Sequence, residues 1–86
     1  MTNSQRRRRI EVKNTLHISV HAEKRFLQRI MKTEDLSVQM LKRAGHWLSQ
    51  EFDMTKSYKD GEYRFPSFND YVAVIANNTI VTVRKK

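Results

Sequence analysis

The 86-residue chain contains no cysteine, so it can form neither a disulfide-stabilised scaffold nor a zinc site built on thiolates. No apolar run approaches the roughly 20 residues that cross a bilayer, and no hydrophobic segment follows the N-terminal arginines. A glycine-rich phosphate loop is also missing. We therefore expect a soluble, unprocessed, cytoplasmic protein with no membrane partner and no cofactor.

The length and composition favour one small folded domain. Eighty-six residues can bury a modest core but are too few for two domains, and the 38% of hydrophobic residues are concentrated in recognisable segments. The first residues lack apolar periodicity and are rich in arginine, which is typical of a mobile tail. We predict a basic flexible arm over residues 1–14 and a single α+β domain over residues 15–86.

The net charge of +8 is unevenly distributed along the chain. Residues 1–14 contain five basic residues and one acidic residue, and residues 20–32 contain four basic residues and one acidic residue. Residues 84–86 are all basic. Residues 33–83 instead hold five bases and seven acids. A polyanion is therefore expected to bind the arm, the first helix and the C-terminal tail. The candidate nucleic-acid-binding residues are Arg6, Arg7, Arg8, Arg9, Lys24 and Lys85.

The arginine run from Arg6 to Arg9 can gain affinity for nucleic acid by releasing counterions from phosphates. The same run would also serve as a solubilising tail or as a contact for an acidic protein or lipid surface. It specifies neither a nucleotide sequence nor a polymer type.

Two helices are predicted in the first half of the chain. Ser19 is a natural N-cap, so the first helix is expected to begin at Val20. Its apolar residues fall in one sector at about 100° per residue, and its basic residues lie opposite. Thr33 is the predicted N-cap of a second helix over residues 34–44, with Gly45 just past its end.

The second half of the chain has the alternation of strands. Residues 47–58 and the stretch "EYRF" predict a hairpin around Asp60-Gly61, and Pro66 indicates an edge or a bulge. The stretch "DYVAVIA" is typical of a central strand, and Asn77-Asn78 predicts a turn into "TIVTVRK".

The predicted fold class is α+β, with two N-terminal helices packed on one face of a roughly four-stranded antiparallel sheet. Residues 10–20, "IEVKNTLHISV", could add a short strand or an extended lead-in. Trp47 and Phe52 are expected in the core, because a domain this small needs its large apolar residues inside.

His21, Arg25 and Arg29 follow one another at intervals of four on the first helix. Metal-independent ribonucleases need a base for the ribose 2′-OH, an acid for the leaving oxygen and cations around the phosphate. An imidazole and two guanidiniums can supply parts of all three. Such a triplet is more often a solvated helix face. The spacing of His17 and His21 could suit a metal, but without cysteine we expect no metal site.

The stretch "ISVHAEKRFLQR" resembles the start of a small bacterial and phage family that opens with Ser-x-His-Ala, continues with Arg at four-residue intervals and closes on a strand similar to "IVTVRK". That family is similar to the barnase, EndoU, colicin and RelE-like ribonuclease fold. The resemblance covers residues 16–84 and implies two N-terminal helices on a four-stranded antiparallel sheet. It also implies an active site of His21, Arg25 and Arg29, with Thr82 on the last strand.

The leading hypothesis from the sequence is an RNA-binding, RelE-like domain with toxin-like, metal-independent endoribonuclease activity. The alternative is a non-enzymatic inhibitor or regulator of phage type that binds DNA or an acidic protein surface through the same arm and helix. A third hypothesis is a self-associating structural module that uses the edge strand near Pro66.

Overall fold

The computed structural model describes residues 15–86. Within this range the chain forms two helices and four strands, which confirms an α+β fold. The elements are, in chain order, β1 (His17–Ile18), α1 (Val20–Arg29), α2 (Val38–Glu51), β2 (Gly61–Arg64), β3 (Tyr71–Ala76) and β4 (Thr79–Lys85). The predicted basic arm, residues 1–14, lies outside the described residues.

Helix α1 begins at Val20, as predicted. The side chain of Ser19 accepts a hydrogen bond from the backbone N–H of Ala22 at 3.0 Å, which satisfies one of the free donors of the first turn. The buried residues of the helix are Ala22, Phe26 and Leu27. Their spacing gives α1 one apolar side, and this side joins the core.

Helix α2 differs from the prediction at both ends. Its N-cap is Ser37, whose side chain accepts from the N–H of Met40 at 3.3 Å, and the helix continues to Glu51. Gly45 therefore lies inside the helix rather than past its end. The strand alternation read into residues 47–58 is wrong: residues 47–51 are helical and residues 52–58 form no strand.

The sheet has the strand order β1-β4-β3-β2, and it is mixed rather than purely antiparallel. The two-residue strand β1 pairs parallel with β4, whereas the other two pairs are antiparallel. The hairpin predicted around Asp60-Gly61 is wrong, because β2 starts at Gly61 and pairs with β3. Pro66 follows the end of β2, which is an edge strand of the sheet.

Strands β3 and β4 form the hairpin that the sequence predicts. Asn77 and Asn78 turn the chain with φ of 52° and 54°, in the left-handed region that asparagine tolerates. The register shifts between Val74 and Ile75, so that Val81 is an extra residue on β4. This β-bulge reverses the alternation of β4 beyond it.

One buried cluster unites the helices with the sheet. It contains Phe26 and Leu27 of α1, Leu48 of α2, and residues of β3 and β4 such as Ala73 and Val83. Helix α1 contacts β4, and α2 contacts α1. The finer prediction, that both helices pack on one face of the sheet, stays a prediction.

The sequence predicts that two aromatic residues lie in the core, and the structure confirms this for only one of them. Phe52 is buried and belongs to the core cluster, as expected. Trp47 is 44% exposed, so its assignment to the core is wrong. Residue size alone does not decide burial here, because residue 47 lies on a helix whose buried residues are Ala44 and Leu48.

Candidate nucleic-acid interface

The start of α1 is attached to the sheet as well as capped. The hydroxyl of Ser19 donates to the backbone carbonyl of Val81 at 3.2 Å, and the N–H of Ser19 donates to the carbonyl of Ile80 at 3.0 Å. Val81 is the bulged residue of β4, so its carbonyl is free of the regular ladder and can accept this bond. The first turn of α1 is therefore fixed relative to β4.

The side of α1 away from the buried residues forms the basic helix face. His21, Lys24 and Arg29 are exposed and Arg25 is half-buried. Residues four apart on a helix are about 6 Å apart along the axis, so the imidazole and the two guanidiniums can form one stripe. The basic helix face is made of His21, Lys24, Arg25, Gln28 and Arg29.

Arg25 is oriented within this face by a neighbour on the same helix. Its guanidinium donates to the side-chain oxygen of Gln28 at 2.8 Å. A guanidinium has five N–H donors, so this bond leaves donors free for an anion. Within residues 15–86, no hydrogen-bond partner is found for the side chains of His21, Lys24 or Arg29. The face can therefore offer several cationic donors to one extended anion, such as a nucleic-acid backbone.

Thr82 is not brought together with the basic helix face. It pairs with Val74, whereas its neighbour Val83 pairs with Ala73 and lies in the core cluster. Successive residues of a strand point to opposite faces, so Thr82 lies on the face away from the core. The same face carries the ion pair between Arg84 and Glu62.

The bulge is the reason that simple alternation misplaces Thr82. Ile80 is buried, and counting in twos from it would put Thr82 on the same face. The extra residue at Val81 reverses this assignment. Thr82 therefore lies on the opposite face from Val83, which belongs to the same core cluster as Phe26.

The other predicted binding residues have different positions. Lys24 lies on the basic helix face, and Lys85 is exposed at the end of β4. Arg6, Arg7, Arg8 and Arg9 lie outside the described residues, so their predicted role stays a prediction.

A second group of cations lies where β2 and β4 end. No pattern in the sequence predicts that these residues lie near one another. Lys32 Nζ lies 3.3 Å from the hydroxyl oxygen of Tyr71, and Tyr71 is the register partner of Lys85. Lys85 also lines an open cleft with Arg64, Asn69, Asp70 and Lys86. We call Lys32, Arg64, Lys85 and Lys86 the sheet-end cluster. The four residues come from the segment after α1, from β2 and from the end of the chain, and only the folded sheet brings them near one another, so no local pattern could have found the cluster.

The carboxylate of Glu23 is the acidic group of α1. Partial burial raises the pKa of Glu23 above its ordinary value. Within residues 15–86 no group of three or more His, Cys, Asp or Glu side chains is placed to hold a metal ion.

None of the helices in the described part of the chain combines the length and apolarity that spanning a membrane requires. Comparison of the chain with protein-family models, with curated proteins and with solved structures gives no match in any of the three.

Proposed function

We propose that this protein binds RNA through the basic helix face of α1. The observation that carries the proposal is the stripe of His21, Arg25 and Arg29 on a helix whose first turn is bonded to β4. Because the helix is fixed, the backbone positions from which these side chains extend are set before a ligand arrives, which lowers the entropy cost of binding.

The chemistry of the stripe favours RNA among the polyanions. Arginine forks bind phosphate oxygens with two parallel hydrogen bonds. An imidazole can donate to or accept from a ribose 2′-OH, the group that distinguishes RNA from DNA. His21 lies beside Arg25 on the same face, so one nucleotide could contact both.

The binding test uses a fluorescent RNA oligonucleotide and the full chain. We expect Arg25→Ala and Arg29→Ala each to weaken binding for all nucleotide sequences. The slope of log K against log salt should fall in magnitude by about 0.7 for each lost contact with a single strand. The control is Lys59→Ala, which removes an exposed charge from the loop before β2.

The variant His21→Ala tests whether the protein distinguishes RNA from DNA. It should reduce the preference for RNA over DNA of the same sequence while leaving the salt slope nearly unchanged, because an imidazole that contacts the 2′-OH is not a phosphate contact. Equal affinity of the wild-type protein for RNA and DNA would contradict the RNA assignment and favour a DNA-binding regulator. Lack of binding to either would favour an acidic protein partner.

RNA cleavage is the second candidate, and the imidazole beside two guanidiniums is the observation that favours it. His21 would transfer the proton and Arg25 and Arg29 would hold the scissile phosphate. Thr82 is not part of this candidate site, because it lies on the other face of the sheet. Cleavage in EDTA that His21→Ala abolishes would support an enzyme, whereas binding without cleavage would leave an RNA-binding protein.

A further inference from the structure

Lys32 has a backbone conformation that a lysine rarely adopts. Its φ is 59°, in the left-handed region, where a side chain with a Cβ costs roughly 1–2 kcal/mol relative to glycine. It follows the end of α1, a position where glycine is the usual residue. A lysine in this conformation suggests a use for its side chain.

The ammonium group of Lys32 lies beside the start of β3. Its Nζ lies 3.3 Å from the hydroxyl oxygen of Tyr71 and 6.0 Å from the centre of the ring. The ammonium is therefore beyond the hydroxyl, close to the line of the C–O bond, and its contact with Tyr71 is a hydrogen bond to that oxygen. Tyr71 pairs with Lys85 on the neighbouring strand, so the two lysines flank one tyrosine.

The sheet-end cluster continues the basic helix face. Gln28, which orients Arg25, lines the same surface depression as Lys32. On the other side of Tyr71, the cleft that contains Lys85 has a single acidic lining residue, Asp70, against three cations. Cations are therefore present on α1, at Lys32 and at the end of β4, and the acidic lining residues are Glu34 in the depression beside Lys32 and Asp70 in the cleft beside Lys85.

We infer that the sheet-end cluster is a second phosphate-binding site for the RNA that binds α1, so that one RNA strand contacts both places. Lys32 is the residue that connects them. This inference rests on the proposed function, because it assigns a further part of the same RNA to a different surface. The cations would bind the phosphate backbone and not the bases, so the contact is independent of nucleotide sequence.

Lys32→Gly is a specific test because it removes the positive charge and also the steric cost of the left-handed backbone conformation. Glycine adopts a φ of 59° without a steric cost, so the variant should unfold at the same temperature as the wild type or at a higher one. We expect weaker RNA binding and a salt slope smaller in magnitude by about 0.7. Lys32→Asn, which also tolerates this conformation, serves as a second variant if the glycine loosens the connection between the helices.

Lys85→Ala should reduce the magnitude of the salt slope by the same amount as Lys32→Gly. The variant with both substitutions should reduce it by about twice that amount. Lys59→Ala is the matched control, because it lies before Gly61, at the opposite end of the sheet from Lys85. It should leave the slope unchanged.

The outcomes separate this inference from the proposed function. If Arg25→Ala and Arg29→Ala weaken binding but the Lys32 and Lys85 variants bind like the wild type, the second site is wrong and RNA binding by α1 stands. If the wild-type chain binds no RNA, both are wrong. Amide signals of Tyr71 and Lys85 that shift in NMR spectra when RNA is added, together with those of α1, would support the inference directly.

Discussion

Glu23 of α1 and Gly45 of α2 meet where the two helices contact each other. A Cβ added to Gly45 would lie 2.8 Å from Oε2 of Glu23, closer than carbon and oxygen normally approach. A side chain at position 45 would therefore have to displace the flexible end of Glu23. Gly45 lies in a helix contact and not in a turn, whereas the sequence pattern wrongly placed it after the helix. The same contact takes the carboxylate partly out of water.

The first prediction concerns the charge of Glu23. Burial raises its pKa above the ordinary value of 4.5, so the folded protein binds the proton more tightly than the unfolded chain does. The free energy of unfolding should then fall as the pH rises through 4.5, until the folded-state pKa has been passed. Glu23→Gln removes this loss, so the variant should gain stability relative to wild type with rising pH, by less than about 1 kcal/mol for a half-buried group.

Chemical denaturation at several pH values checks this prediction. Glu34→Gln, in the exposed connection between the helices, is the control. A stability difference that does not depend on pH would show that burial of the carboxylate is not its cause.

At the scale of elements, the start of α2 illustrates what a local pattern can and cannot decide. Thr33 and Ser37 are both suitable N-caps, and the sequence alone favoured Thr33. In the fold the N–H of Thr33 donates to the carbonyl of Leu27 at 3.0 Å, and its hydroxyl accepts from Asp35 at 3.1 Å. Residue 33 thus belongs to the turn that follows α1, and the N-cap of α2 lies four residues later at Ser37.

The second prediction compares these two residues. Ser37→Ala should destabilise the protein by about 1 kcal/mol, because it leaves a donor of the first turn of α2 unsatisfied. Thr33→Ala should have a smaller effect, since its hydroxyl bonds only within the exposed turn. Thermal unfolding of both variants measures the difference. A larger loss for Thr33→Ala would indicate that the turn, not the cap, holds α2 in place.

The elements that the sequence predicted correctly are those determined by residues close to one another in the chain. The start of α1, the interior strand β3 and the turn at Asn77-Asn78 are confirmed, because each depends on a cap, an apolar run or a local φ preference. The parallel pairing of β1 with β4 was missed. It joins His17 to Thr79 across the whole chain, and a two-residue strand has no period to detect.

For the whole molecule, an aromatic cluster around Phe65 holds helices, loop and sheet together. The ring centre of Phe65 lies 6.1 Å from that of Phe26, 5.2 Å from Phe52 and 6.2 Å from Phe68. These partners come from α1, the end of α2 and the loop before β3. The pairs with Phe52 and Phe68 are edge-to-face and the pair with Phe26 is tilted, and aromatic pairs of this kind add about 0.5–1.5 kcal/mol each beyond the burial of their area.

The third prediction follows from this central position. Phe65→Ala should destabilise the protein by roughly 3–5 kcal/mol, because a fully buried ring leaves a cavity. Trp47→Ala, at a side chain that is 44% exposed, should cost much less. Denaturant unfolding measures both. Equal losses would mean that Trp47 is more deeply packed than its exposure indicates.

Only the part of the candidate site that is formed by residues close in sequence could be predicted. The stripe of His21, Arg25 and Arg29 depends on helix periodicity and could be read directly from the sequence. The position of Thr82 depends on a bulge, and the contact of Lys32 with Tyr71 on the pairing of distant segments. Neither leaves a signal in a single sequence, because both are set by strand register in the folded chain.

The turn at Asn77 and Asn78 is bonded to two other parts of the chain. The N–H of His17 donates to the carbonyl of Asn78 at 2.8 Å, and the N–H of Tyr58 donates to its side-chain oxygen at 2.8 Å. The N–H of Asn77 donates to Asp60 at 3.0 Å. Hairpin tips normally accept an inserted tag or a circular permutation. An epitope spliced between these asparagines would instead release the first strand and the segment before β2, so this tip is a poor place to engineer.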